Sequence, residues 1–244
     1  MIHTIRIAAG LLLISSTAVS QPSGKEILDR IDRNMSSESR YVRSKMIIHG
    51  PRVSRTIEAE TWAEGESAFT EYLAPAREKG TKMLKLEDQL WIYSPSTDRI
   101  IQLSGHLLRQ SVMGSDLSYE DMMEDPDLNR KYDAVVVGSG IIDGRDCWIV
   151  EMHAKVEDVA YQKRKLWVDK QRYVPLKEEL YAKSGELLKK TELTDIQKHG
   201  SRWYPGKILF KDMLKSGSGT EFIVDEISFN VDIPDYLLSK AALR

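Results

Sequence analysis

Residues 80–103 read GTKMLKLEDQLWIYSPSTDRIIQL, and the reading of this stretch decides the fold. Its apolar residues fall into three short runs, 80–87, 89–94 and 99–103, divided by EDQ (87–89) and SPSTD (94–98). Short runs of this kind, bounded by Asp, Ser and Pro, are strand and turn signals. Turns this brief join antiparallel neighbours. The same texture extends outward in both directions. Upstream it gives strands over 41–49, 53–63 and 67–74. Downstream it gives 132–138, 145–153, 160–169, 174–183, 187–198, 202–214 and 220–230, with turns at IDGRD (142–146), AKSGE (182–186), QKHGS (197–201) and KSGSG (215–219). GSGIIDG (138–144) lacks dinucleotide-loop spacing, is followed by a strand, and reads as a hairpin. A flat sheet of so many strands is uncommon because twist accumulates and curls it. Once curled, it encloses a trough.

Three segments remain to fill or cover that trough. Residues 24–40 carry Ile27, Leu28, Ile31 and Met35 at helical spacing, so they predict an amphipathic helix. The last residues, DIPDYLLSKAALR (232–244), read as a short closing helix. Between them lies 104–125, where Leu107, Leu108, Val112 and Met113 sit in an irregular stretch bracketed by Gly105 and Gly114. Ser118 with Asp121 forms a capping-box pattern opening a short helix that holds Met122 and Met123. Apolar loop residues need cover, so this stretch is either a plug that completes the core or a movable lid over a cavity. Methionines suit the second role, since they adapt to an irregular apolar guest. Gly105 and Gly114 are then the hinge candidates.

Composition removes several function classes. The chain has 35 Lys+Arg against 37 Asp+Glu, a formal charge of −2, which argues against a nucleic-acid partner. Residues 1–20 read as a secretory signal: Arg6 near the start, an apolar run over 7–14, then Ala18-Val19-Ser20. Cleavage after Ser20 is expected, leaving a single domain over 21–244 in an extracytoplasmic space. The lone cysteine, Cys147, cannot form an internal disulfide and reads as a buried strand residue in preference to a catalytic thiol. The five histidines make neither HxH nor HExxH spacing, so no metal is expected. No GxSxG elbow is present. His106, Ser111 and Asp116 lie close in sequence, but a triad is defined by geometry, and no catalytic residue is assigned. No cofactor is expected either.

Residues 79–124, KGTKMLKLEDQLWIYSPSTDRIIQLSGHLLRQSVMGSDLSYEDMME, resemble the signature of the LolA-like outer-membrane lipoprotein-sorting protein family. The shared succession is a strand ending in Met-Leu, a Leu-Trp-Ile-Tyr strand, a Pro-Ser turn with a following Arg, and a loop of the form RQSVMGSDLSYEDM. The resemblance implies a mainly β fold with a few helices: an incomplete, half-open antiparallel β-barrel around a hydrophobic cavity, covered by an N-terminal helix and a loop-helix lid. It also implies a non-enzymatic periplasmic carrier, with lipid or lipoprotein acyl chains as cargo. An inner-membrane exporter of the RND type and an outer-membrane acceptor are the implied partners. The best-known carriers of this fold lack the 79–124 block, so their cargo does not transfer.

Physical chemistry supports a carrier independently. A C16 acyl chain has about fifteen methylenes, each worth ~0.8 kcal/mol on leaving water, so it cannot cross an aqueous space unshielded. Candidate wall residues are Met83, Leu84, Leu86, Trp91, Ile92 and Tyr93, of which alternation lets about half face inward. Candidate cover residues are Leu107, Leu108, Val112, Met113, Met122 and Met123. Arg109 and Arg99 are the candidates for holding a polar head group; each is equally readable as a solvated arginine. The expected state is a monomer. The alternative is a non-transporting accessory subunit that docks on an exporter.

Overall fold

The computed structural model describes residues 21–50, 52–124 and 128–244. The expected signal, 1–20, lies outside them. Thirteen strands form one antiparallel sheet: β1 (Ser39–His49), β2 (Ser54–Glu64), β3 (Ser67–Ala74), β4 (Lys82–Leu86), β5 (Gln89–Ser94), β6 (Arg99–Leu103), β7 (Tyr132–Ile142), β8 (Arg145–Ala154), β9 (Lys163–Asp169), β10 (Pro175–Tyr181), β11 (Leu187–His199), β12 (Arg202–Asp212) and β13 (Thr220–Phe229). Their order across the sheet is β6-β5-β4-β3-β2-β1-β13-β12-β11-β10-β9-β8-β7. Every neighbour is sequential except where β1 pairs with β13. The sheet stays open, with β6 and β7 as its two edges.

This order dictates what 104–131 must do. The chain leaves one edge at Leu103 and re-enters the other at Tyr132, so the connection has to cross the whole sheet. Its contacts follow the strands in turn. Arg55 of β2 donates to the Met113 carbonyl at 2.7 Å. Val112 and Leu117 are buried on Met46, Ile48, Ile57, Ala59 and Tyr72 of β1–β3. Asp116 accepts from Thr220 Oγ1 at 2.8 Å and from the Asp212 amide at 2.9 Å, reaching β13 and β12. Asp121 then pairs with Lys189 of β11, and Glu124 with Arg164 of β9. Topology, more than composition, makes this segment a cover.

Helix α1 (Gly24–Met35) opens on a capping box between Ser23 and Glu26. It buries Ile27, Leu28 and Ile31 against Tyr132, Trp148, Val150, Met152, Leu166 and Val168. Each of those three aliphatic side chains contributes roughly 1.5–3 kcal/mol on burial. At its start a Cβ on Gly24 would lie 2.2 Å from the Ala134 carbonyl oxygen, so only glycine allows the helix to approach β7 this closely. At its end the Asn34 amide donates to the Arg172 carbonyl at 2.7 Å, and its oxygen accepts from the Trp203 amide at 2.9 Å.

Two expectations need correction. The helix over 24–40 stops at Met35, because Ser36 is extended and Arg40 must pair with Ala63 and Phe229. Serine-rich SSES offers the backbone local hydrogen bonds that compete with the helix. The closing helix over 232–244 is reduced to one 3₁₀ turn, Lys240–Leu243, capped by Ser239. The capping box of Ser118 and Asp121 does form, opening α2 (Tyr119–Met122). A further short helix, α3 (Leu128–Lys131), leads into β7.

Candidate functional site

Between α1, the far end of the cover and the sheet lies a groove of about 390 Å³. Leu28, Ile31 and Met35 of α1 form one wall. Leu166, Leu193, Ile208 and Phe210 of β9, β11 and β12 form the floor. These positions are same-face partners: Ile208 opposes Leu193, Phe210 opposes Thr191, Thr191 opposes Glu178 and Glu178 opposes Leu166. The floor therefore follows from strand alternation alone.

At one end the apolar floor gives way to buried charge. Arg164 is 3 % exposed, paired with Glu124 of the cover and 3.3 Å from Glu178 of β10. Its guanidinium carbon lies 5.1 Å from the Tyr132 ring centre and 5.7 Å from that of Tyr161. Burial opposes its charge, but Glu124 and Glu178 outweigh this and raise its pKa further. Beside it, Asp121 accepts from Tyr161 and pairs with Lys189. Burial pushes the Asp121 carboxyl up, yet Lys189 and its hydrogen bonds hold it below its ordinary value. Burial drives Glu178 the other way, with Arg164 offsetting it incompletely, so its pKa is raised. Tyr161 is raised by burial and by Asp121, which keeps it a donor. On the far side of Asp121, Tyr161 and Lys189 lies a polar cleft of about 360 Å³, with Arg109, Ser111, Asp212 and Lys215 on its walls.

The model of a family described as "Uncharacterized protein" matches residues 64–244. The chain belongs to that family. Its fold is LolA-like, shared with three solved structures. A DUF1329 family protein from Desulfovibrio piger is 25% identical, with a TM-score of 0.82 over 91% of this chain and 98% of that one. A domain from Vibrio parahaemolyticus named for outer-membrane lipoprotein sorting is 23% identical, with a TM-score of 0.77 over 90% and 97%. A LolA superfamily protein from Nitrosomonas europaea is 24% identical, with a TM-score of 0.76 over 91% and 100%. No curated protein matches the chain.

Within this LolA-like fold the six wall candidates divide between the two faces of the sheet. Leu84 and Trp91 are buried with Phe69 beneath Ala242 and Leu243, and Leu86 and Tyr93 pack around them. Lys82 donates to the Ala242 carbonyl at 2.8 Å, and the Lys240 ammonium lies 4.2 Å over the Trp91 ring. The C-terminal segment thus closes that face. Met83 and Ile92 oppose each other and share the opposite face with Thr70 and Tyr72, the face on which the cover lies. Among cover candidates Val112 is 2 % exposed, Leu107, Leu108, Met113 and Met123 are half-buried, and Met122 is exposed. Gly105 and Gly114 both have positive φ, 54° and 77°, and so does Met113 between them, at 51°.

Arg99 is exposed on edge strand β6, and Arg109 is exposed at the polar cleft. His106 is exposed, Ser111 accepts from Lys215, and Asp116 is tied to β12 and β13. Ser111 and Asp116 are thus engaged with different partners. Cys147 is fully buried, donates to the Arg145 carbonyl at 3.4 Å, and has its pKa raised chiefly by burial. Sequence reading passed over Arg164, Glu178, Glu124 and Lys189, and read Asp121 only as a capping residue. The signal was present in KRKLWVD: alternation puts Arg164 on one face with Leu166 and Val168, a charge in an apolar row.

Proposed function

We propose that this chain is a periplasmic carrier that takes an acyl chain of a lipoprotein or lipid into the groove between α1 and β9–β12. It shields the chain on its way to the outer membrane, and an exporter of the RND type is the donor. One observation carries this reading: an apolar-floored groove of about 390 Å³ remains between the helix and the sheet. Ligand sites run from about 300 to 1,000 Å³. The Vibrio domain, named for lipoprotein sorting, has the same fold and supports the reading by analogy. In this account Leu107, Leu108, Val112, Met113, Met122 and Met123 form the cover, and Gly105 and Gly114 absorb its backbone change. Arg109 meets polar groups at the adjoining cleft.

A second reading is a docking subunit. Edge strand β7 exposes Val135, Val137 and Ile141 by 57, 51 and 69 % and has one side unpaired within the sheet, the arrangement that strand addition uses. Mass spectrometry of organic extracts from protein purified without detergent separates the two. The carrier predicts a stoichiometric acylated species. An extract free of lipid, with no saturable uptake of an apolar probe by the folded protein, supports docking and sinks the carrier.

A further inference from the structure

The buried charges at the end of the groove are not fully satisfied. Among the described residues, Nε of Arg164 and Oε1 of Glu178 are both buried without a hydrogen bond, and both residues line the groove. Oε1 has an ion-pair contact with Nη1 of Arg164 at 3.3 Å, so the open donor and the open acceptor belong to one ion pair. Leaving such groups unmade is costly in a protein interior, and each unsatisfied one calls for a partner. Resting on the carrier reading, we propose that this pair is the polar recognition point of the groove. It takes an uncharged group that both donates and accepts, a hydroxyl or a carboxamide at the polar end of an apolar chain.

The chemistry of the two atoms selects the class. Nε–H needs an acceptor, and Oε1 of Glu178 needs a donor. A carboxylate or phosphate diester offers acceptors alone, and an ammonium offers donors alone. A hydroxyl or a primary amide offers both. Local charge gives an anion no advantage. Asp121, Glu124 and Glu178 face Arg164 and Lys189, three acids against two bases. The bases are already matched, so no surplus positive charge draws an anionic head group into the site. Tyr132 and Tyr161 flank the guanidinium and keep it from swinging out toward solvent. The groove therefore discriminates by head group as well as by chain.

The test uses the whole protein with N-phenyl-1-naphthylamine as a fluorescent probe, displaced by 1-dodecanol, dodecanamide, laurate or dodecylammonium at pH 7.4. Dodecanol and dodecanamide should displace the probe at concentrations at least tenfold lower than the two ions. In Glu178→Gln, with its fold checked by thermal denaturation, the laurate gap should narrow to threefold or less, because the carboxamide can turn a donor toward the guest. Equal displacement by all four heads overturns the head-group proposal and leaves the groove standing, with water satisfying the pair. A preference for laurate or for dodecylammonium overturns it as well. Absence of saturable probe binding overturns the groove itself. If Glu178→Gln fails to fold, the wild-type series still decides.

Discussion

The two halves of the sheet use similar side chains to opposite ends. In the outgoing half, β3–β5 bury Phe69, Leu84 and Trp91 under the C-terminal segment on one face, while β1–β3 are covered by Val112 and Leu117 on the other. In the returning half, Leu166, Leu193, Ile208 and Phe210 face a groove with α1 across it and charges at one end. Covered strands are scaffold; partly covered strands leave the room that the proposed guest needs. Trp91 and Tyr93 of the conspicuous block LWIY thus belong to a packed face, and the proposed site lies among less conspicuous residues.

Trp91→Ala should cost about 3–5 kcal/mol in urea unfolding, the range for a buried large aromatic. Probe affinity per folded molecule should stay within twofold of wild type. A large affinity loss at unchanged stability would move the site to the β3–β5 half.

Asp121→Asn should cost about 1.5–3 kcal/mol by removing a charged partner of Lys189 and Tyr161. The loss should be local, read as faster hydrogen exchange over 111–124 and unchanged exchange in β3–β5. Acid should reproduce it. The folded pKa of Asp121 lies below its ordinary 3.8, so its contribution is present above about that pH and fades as pH falls through the lowered value. Protection of 111–124 that is insensitive to both changes would make the cover a static plug.

Ile208→Trp should fill the groove and weaken probe uptake at least tenfold, about 1.4 kcal/mol, with stability changed by less than that. Uptake at the wild-type affinity would exclude the groove as the binding place. Smallest is Glu178→Gln. An acid with a raised folded pKa contributes stability below its unfolded value, here 4.5, and loses it as pH rises through the folded value. Removing the charge should therefore raise Tm at pH 7 and leave it unchanged at pH 4 in thermal denaturation.

The architecture was legible because strand alternation and turn chemistry are local signals, and a sequential meander has few alternatives. Even the hairpin at 138–144 could be read from Asp143-Gly144, which adopt positive φ of 47° and 73°. The strand faces were not legible. Leu84 and Met83 are equally apolar, and what separates them is a C-terminal segment distant in sequence. Arg164 was hidden by its neighbours, since KRK reads as a solvated charge run until alternation places one member inward. The edge-to-edge crossing of 104–131 required knowing that β1 pairs with β13, a long-range pairing that no local pattern announces.

If the guest lies against α1 and the returning strands, photolabelling with a C12 alcohol bearing a terminal diazirine, followed by peptide mapping, should give adducts within 24–35, 163–169 and 187–212. Adducts concentrated in 82–94 and 237–244 would place the guest in the other half of the sheet and sink the groove.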